Sequence, residues 1–88
     1  LAIGFLSACS EMGVKVGKTK NCDLRVAGCD DNPYSRFTSP PLTTAAHDYH
    51  TVSDNAAVAL FELINNGGKS KKRTETLYSA KLVLRDSA

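Results

Sequence analysis

The sequence predicts an α/β layered fold in which the elements follow the order helix, strand, strand, helix, strand. No internal repeat interrupts this order, and the composition of 42% hydrophobic and 23% charged residues is that of an ordinary soluble globular protein. A chain of 88 residues is long enough for one small domain at most. We therefore expect no large enclosed active site within it.

The first predicted element is a helix over residues 1–12. Its apolar residues recur at helical spacing and predict one buried face: Leu1, Phe5, Ala8, Cys9 and Met12. Gly13 supplies the left-handed residue that commonly ends a helix. Because Cys9 lies on the apolar face, its thiol is expected to be a packing group rather than a nucleophile.

Two strands follow a lysine-containing loop. Residues 24–29 form a compact apolar run with one charge, which predicts a strand buried on both faces of a parallel sheet. The run ends at Asp30 and Asp31. Residues 32–41 contain three prolines and are predicted to be irregular, whereas residues 42–46 form a second, short strand.

The second helix is predicted to begin near residue 51, with Thr51 or Ser53 as the N-cap and Asp54 in the first turn. The residues 65–68, Asn-Asn-Gly-Gly, end it. Its apolar face is expected to contain Val52, Ala56, Ala59, Leu60, Leu63 and Ile64. The alternating residues 78–85 then predict a third strand with one mostly polar face.

Composition and charge give few signals about partners. A net charge of +2 is too small to indicate a nucleic-acid surface by itself. The basic run Lys69, Lys71, Lys72 and Arg73 is interpreted as a solvated turn, with phosphate contact as the alternative. No apolar run approaches the ~20 residues of a membrane span, and the first residues lack the basic start and cleavage site of a secretory signal. Three cysteines without CxxC spacing favour a reducing cytosol over a disulfide scaffold.

Catalysis and metal binding are not expected. The chain shows no acid-base pair or activated nucleophile that would indicate an enzyme. The residue types of a zinc site are present in Cys22, Cys29, His47 and His50, but their spacing is not that of a compact metal motif, and Cys29 is expected to be buried. We therefore predict no catalytic residue, no metal and no cofactor.

Asp30 is the first candidate for binding a ligand. It follows a predicted buried strand, and open α/β sheets bind ligands at the carboxyl ends of their strands. Its carboxylate would accept hydrogen bonds from vicinal hydroxyl groups. The alternative is that Asp30 and Asp31 simply begin a turn, a position that aspartate favours. For Asp31 the turn is the preferred interpretation.

Four short segments resemble the effector-binding domain of the lactose-repressor and galactose-repressor family of bacterial regulators: a helix ending E-x-G-V at residues 11–14, LRVAGCDD at 24–31, PPLTT at 40–44 and LVLRDS at 82–87. The combination of GCDD and PPLTT at this interval is the most specific. The resemblance implies a periplasmic-binding-protein-like fold of two α/β subdomains, with parallel sheets flanked by helices and a ligand cleft between them.

The resemblance also implies a domain organisation. Residues 1–46 would belong to the C-terminal subdomain, residues 47–50 to a hinge, and residues 51–88 to the N-terminal subdomain. The chain lacks an initiator methionine, so we expect it to be a piece of a longer protein whose DNA-binding helix-turn-helix lies upstream. Departures from the family pattern include Cys29, where Phe or Tyr is usual; they leave the effector open.

By this resemblance, Asp30 contacts the effector, His47 hydrogen-bonds it and Tyr49 stacks on the apolar face of a sugar. His47 and Tyr49 lie two apart on a predicted extended hinge, so both side chains would face one cleft. The alternatives are a solvated histidine and a core tyrosine. The first helix and residues 35–39 resemble the dimer surface of the family, with intrachain packing as the alternative for Leu6 and Phe37.

The function expected from the resemblance is that of a cytoplasmic, non-enzymatic transcriptional regulator. Its effector would be a sugar or sugar derivative, it would act as a homodimer, and it would contact DNA only through the upstream domain. A periplasmic-type sugar receptor of the same fold is the alternative, and an enzyme or a purely structural assembly unit is a more distant one. No contact with a membrane is expected.

Overall fold

The computed structural model describes residues 1–69 and 75–88, which form two compact units. One unit contains Leu1–His47 and Ala80–Ala88, and the other contains Asp48–Ser79. Lys71, Lys72 and Arg73 of the predicted basic turn lie outside the described residues. Within the described part of the chain, no helix has the length and apolar character needed to cross a membrane.

The first unit is built on a three-stranded mixed sheet. Strand β1 (Ala27–Cys29) pairs in parallel with β2 (Thr43–Ala46), and β2 pairs antiparallel with β3 (Lys81–Val83). A short 3-10 helix, Pro33–Arg36, lies between β1 and β2. The predicted α/β class and element order are confirmed. The sheet is mixed rather than parallel because β3 runs antiparallel to β2. All three strands are shorter than the segments of sequence that predict them.

Helix α1 (Ala2–Glu11) packs on β1 and ends, as predicted, before Gly13, whose φ is 71°. Leu6 packs against Val26 and Leu42 to form the core cluster, and Cys9 is also buried. Of the predicted apolar face, the prediction is confirmed for Cys9 and wrong for the other four residues, because Leu1, Phe5, Ala8 and Met12 are exposed. The helix has apolar residues on both sides, so periodicity did not distinguish the face that contacts the sheet.

A glycine sets the distance between α1 and the sheet. A Cβ atom on Gly28 would lie 3.0 Å from a methyl group of Leu42 and 3.2 Å from the Cβ of Ala2. Such contacts are tighter than ordinary van der Waals distances, so any larger residue would push helix and strand apart. Gly28 thereby permits the close packing of α1 on β1.

Helix α2 (Tyr49–Asn65) dominates the second unit and begins earlier than predicted. Asp48, not Thr51 or Ser53, is its N-cap and accepts a hydrogen bond from the backbone N–H of Thr51. Asp54 consequently lies beyond the first turn and pairs with His50 at 3.2 Å. None of the residues of α2 is buried within the described chain, so its predicted apolar face lacks a partner there.

The boundary between the units falls between His47 and Asp48, inside the predicted hinge of residues 47–50. Ala80–Ala88 join residues 1–47, because β3 hydrogen-bonds to β2. Residues 51–88 are instead predicted to lie together in one subdomain. Which subdomain of the family each unit represents stays a prediction.

Candidate functional site

Three side chains that carry chemistry meet at the carboxyl ends of β1 and β2. The two strands run in parallel with Cys29 opposite Ala45, so both chains leave the sheet at the same edge. Asp30 follows β1 directly and His47 follows β2 directly. The strand register therefore brings Cys29, Asp30 and His47 together, two of which the sequence analysis predicts as ligand-binding residues.

The distances within this cluster are short. The imidazole Nε2 of His47 lies 3.8 Å from Oδ1 of Asp30 and 3.7 Å from Sγ of Cys29. The N···S contact is a weak hydrogen bond whose donor depends on the histidine tautomer. Side chains of His47 and Asp30 are 35% and 66% exposed. The cluster is thus accessible to a small polar ligand from solvent.

Asp30 and Asp31 adopt backbone conformations that few side chains tolerate. Their φ angles are 79° and 40°, both in the left-handed region, where aspartate is several-fold enriched over other non-glycine residues. Such conformations cost on the order of 1–3 kcal/mol each and persist when the surroundings hold them. They turn the chain sharply at the end of β1 and set the direction of the Asp30 carboxylate.

Arg85 is the residue that holds this turn in place. Its guanidinium lies 2.8 Å from Oδ1 of Asp31 and donates a hydrogen bond to the carbonyl oxygen of Leu42, also at 2.8 Å. Its backbone N–H donates to Oγ1 of Thr43, and the N–H of Asp31 donates to Oγ1 of Thr44. The arginine therefore connects the turn after β1 to the start of β2.

Ser87 makes a second connection, between the residue before β1 and the first residue of β2. Its buried hydroxyl donates to the carbonyl oxygen of Val26 at 2.6 Å and accepts from the N–H of Thr43 at 2.8 Å. The carbonyl of Ser87 accepts from the N–H of Val26. The LVLRDS segment carries part of the family resemblance, but the sequence pattern predicts no role for Arg85 or Ser87. The isolated arginine among apolar residues was the available signal.

Tyr49 does not lie on an extended hinge as predicted. It is the first residue of α2, and the extended backbone ends before it because the Asp48 side chain caps the helix. Hydrogen bonds to the carboxylate, first from the Thr51 hydroxyl and then from the Thr51 N–H, hold the pKa of Asp48 below its ordinary value of 3.8. His47 and Tyr49 belong to different compact units. The premise of an extended backbone at Tyr49 is therefore wrong, whereas the role of Tyr49 in binding a ligand stays a prediction.

The four candidate zinc ligands of the sequence lie in three separate places. Cys29 is exposed, which corrects the prediction that it is buried, and it contacts His47. Cys22 instead contacts Oγ1 of Thr19 at 3.3 Å, and His50 pairs with Asp54 on α2. The four residues do not form one site, whereas Cys29 and His47 join Asp30.

Comparison with known proteins identifies the family. A model of the periplasmic binding protein-like domain matches residues 1–88. The chain belongs to this family. One relative is the HTH-type transcriptional repressor PurR of Pasteurella multocida, which is 37% identical in sequence. Another is the HTH-type transcriptional regulator MalR of Streptomyces coelicolor, which is 34% identical. Each match covers 99% of the chain. The predicted membership of the lactose-repressor and galactose-repressor regulators is confirmed.

Solved structures of regulators agree with this family assignment. A LacI family transcriptional regulator from Lactobacillus casei with bound sucrose is 32% identical and superimposes with a TM-score of 0.63 over 99% of the chain. The same regulator with bound glucose gives a TM-score of 0.62. The chain spans 24% of the length of the curated relatives named above and 30% of the sucrose-bound regulator. It thus corresponds to one part of a family member.

Proposed function

We propose that this chain is part of the effector-binding module of a transcriptional regulator and that its effector is a sugar or a sugar derivative. The observation that carries the proposal is the meeting of Asp30 and His47 at the carboxyl ends of two parallel strands, 3.8 Å apart and open to solvent. Open α/β sheets bind ligands at this edge. The sugars bound to the Lactobacillus casei regulator support the ligand class.

The chemistry of the two side chains is complementary to vicinal hydroxyl groups. An ionised carboxylate only accepts hydrogen bonds, so Asp30 would receive the O–H groups of two neighbouring hydroxyls. The imidazole of His47 has two ring nitrogens that can take part in hydrogen bonds, and it would orient a third hydroxyl. Tyr49 is proposed as an apolar stacking surface for the sugar ring. No step in this mechanism needs a catalytic residue or a cofactor.

Binding would act on transcription through closure of the two subdomains. The effector would bridge the Asp30 side of the cleft and the hinge of residues 47–50, and closure would change how a homodimer presents upstream DNA-binding domains. The effector cannot shift this equilibrium by more than its difference in affinity for the open and closed states. A cytoplasmic location is part of the proposal. The periplasmic-type receptor is not favoured, because the relatives are transcriptional regulators.

The experiment is a calorimetric titration of the full-length protein with sucrose, glucose and a panel of related metabolites. Asp30→Asn keeps the size of the side chain and removes its charge, and we expect it to weaken binding about 10- to 100-fold, the loss of one or two charge-assisted hydrogen bonds. Asp54→Asn is the matched control, because Asp54 lies on the exposed surface of α2. A chelator is present throughout to remove metal ions.

Different results would contradict the assignment of Asp30 and the assignment of a sugar as the effector. If binding to Asp30→Asn and Asp30→Ala is as tight as to the unmodified protein, Asp30 is not a ligand residue. If no sugar binds the unmodified protein while another metabolite class binds in an Asp30-dependent manner, the site is correct and the sugar assignment is wrong. His47→Ala extends the test to the second strand.

A further inference from the structure

We propose that Cys29, Asp30 and His47 form a binding site for a borderline-soft divalent transition-metal ion of the zinc type. Among the described residues, these three form the one group of His, Cys, Asp or Glu whose ligand atoms all lie within 4.8 Å of one another. The inference shares two residues with the proposed function but does not rest on it. Metal binding is measured without any sugar.

Two of the three distances between ligand atoms in the cluster are close to those around a bound ion. Tetrahedral zinc with a sulfur ligand at ~2.3 Å and nitrogen and oxygen ligands at ~2.0–2.2 Å separates its ligand atoms by about 3.4–3.6 Å. Nε2 of His47 lies 3.7 Å from Sγ of Cys29 and 3.8 Å from Oδ1 of Asp30. Displacements of a few tenths of an ångström bring these two edges of the tetrahedron to the required length.

The donor set selects the class of metal. A thiolate sulfur disfavours Mg²⁺ and Ca²⁺, which take oxygen ligands, and imidazole suits Zn²⁺ and its neighbours in the first transition row. One thiolate and one carboxylate together neutralise a divalent ion. Three protein ligands leave a fourth tetrahedral position, and the exposure of Cys29 and Asp30 makes that position accessible to water or another small ligand.

The backbone around the cluster is held in place before any ion arrives. Cys29 is fixed by its parallel register with Ala45, and the turn that contains Asp30 is tied to β2 and Arg85 through Asp31. A preorganised set of ligands loses less conformational entropy on binding than ligands on a flexible loop. The ion would therefore require side-chain adjustment only, with no rearrangement of the strands.

The test is titration of the reduced full-length protein with Co²⁺, followed by displacement with Zn²⁺ in competition with a chromophoric chelator. We expect a thiolate-to-cobalt charge-transfer band in the near ultraviolet. Cys29→Ser should abolish this band and weaken Zn²⁺ binding by at least about tenfold, and His47→Ala should weaken binding to a similar extent. Matched controls are Cys22→Ser and His50→Ala, which alter the same residue types outside the cluster.

Either of two results would overturn the inference. The first is a charge-transfer band that persists in Cys29→Ser or disappears in Cys22→Ser. The second is a Zn²⁺ affinity that is the same in the unmodified protein and in the Cys29→Ser/His47→Ala double variant. Circular dichroism confirms that each variant is folded. Sugar binding is measured in chelator, so loss of the metal site leaves the proposed function standing, and the reverse is also true.

Discussion

The ion pair between Arg85 and Asp31 should contribute far more to stability than the shorter ion pair between Lys18 and Asp86. The two pairs have N···O distances of 2.8 Å and 2.6 Å, but the side chains of Arg85 and Asp31 are 16% and 25% exposed, whereas those of Lys18 and Asp86 are 56% and 59% exposed. Solvent screens an exposed pair, so burial rather than distance should decide the difference.

The magnitude follows from what each substitution leaves behind. Arg85→Met preserves much of the side-chain volume but leaves the Asp31 carboxylate and the Leu42 carbonyl without their partner. Breaking a fully buried pair costs about 3–5 kcal/mol, and the residual exposure places this pair at the lower end, about 3 kcal/mol. Lys18→Met should cost about 0–1 kcal/mol.

Hydrogen exchange of the β2 amides in the full-length protein provides the assay, with urea unfolding as a second measurement. A loss of about 3 kcal/mol corresponds to roughly 100-fold faster exchange through opening of the sheet. The double variant Arg85→Met/Asp31→Asn removes both charges and should be more stable than additivity predicts, by about 1–3 kcal/mol. Equal effects of Arg85→Met and Lys18→Met, or an additive double variant, would refute the reasoning.

Two further predictions concern the second unit and the chain as a whole. Because the pKa of Asp48 is lowered in the fold, its capping contribution to the stability of α2 is fully present above about pH 3.8 and is lost as the pH falls through the lower native pKa. Amide hydrogen exchange in the first turn of α2 should show this loss. Asp48→Asn should abolish the pH dependence of that exchange in the same pH range. The 88-residue chain expressed alone should associate or fold poorly, because Phe5, Phe61 and Leu84 are exposed apolar side chains; a sharp melting transition that is independent of concentration would contradict this.

The sequence predicted those parts of the fold that depend on local signals. Gly13 ends α1 because left-handed backbone costs glycine little, and the asparagine-glycine run ends α2 for the same reason. The order of elements followed from periodicity and from the prolines between β1 and β2. In each of these cases a residue and its immediate neighbours contain the physical cause.

Long-range contacts explain what the sequence did not predict. The face of α1 that packs on β1 depends on Val26 and Leu42, and both sides of the helix are apolar. Arg85 reaches Asp31 across 54 positions of the chain, so no local pattern indicates the pair. The apolar run that ends at Cys29 predicts a buried side chain, yet Cys29 is the last residue of a three-residue strand and lies exposed.

The candidate site was partly predictable for a related reason. Asp30 follows a strand directly, and a strand end is a local feature, so its place at the edge of the sheet could be inferred from one apolar run. His47 required the additional knowledge that β2 is parallel to β1, which the family resemblance supplied and the register confirms. The extended backbone predicted at Tyr49 is absent because the neighbouring Asp48 caps α2, so that Tyr49 is the first residue of the helix.

The two adjacent aspartates after β1 therefore differ in what they do, although their sequence positions are almost equivalent. Asp31 faces inward to Arg85, and its backbone N–H is held by Thr44, so its carboxylate is committed to the scaffold. Asp30 shares the left-handed turn but lies beside Cys29 and His47 at the accessible edge. The strain of two consecutive left-handed residues is sustained by the contacts of the second, and it places the carboxylate of the first where a hydroxyl group or a metal ion can reach it.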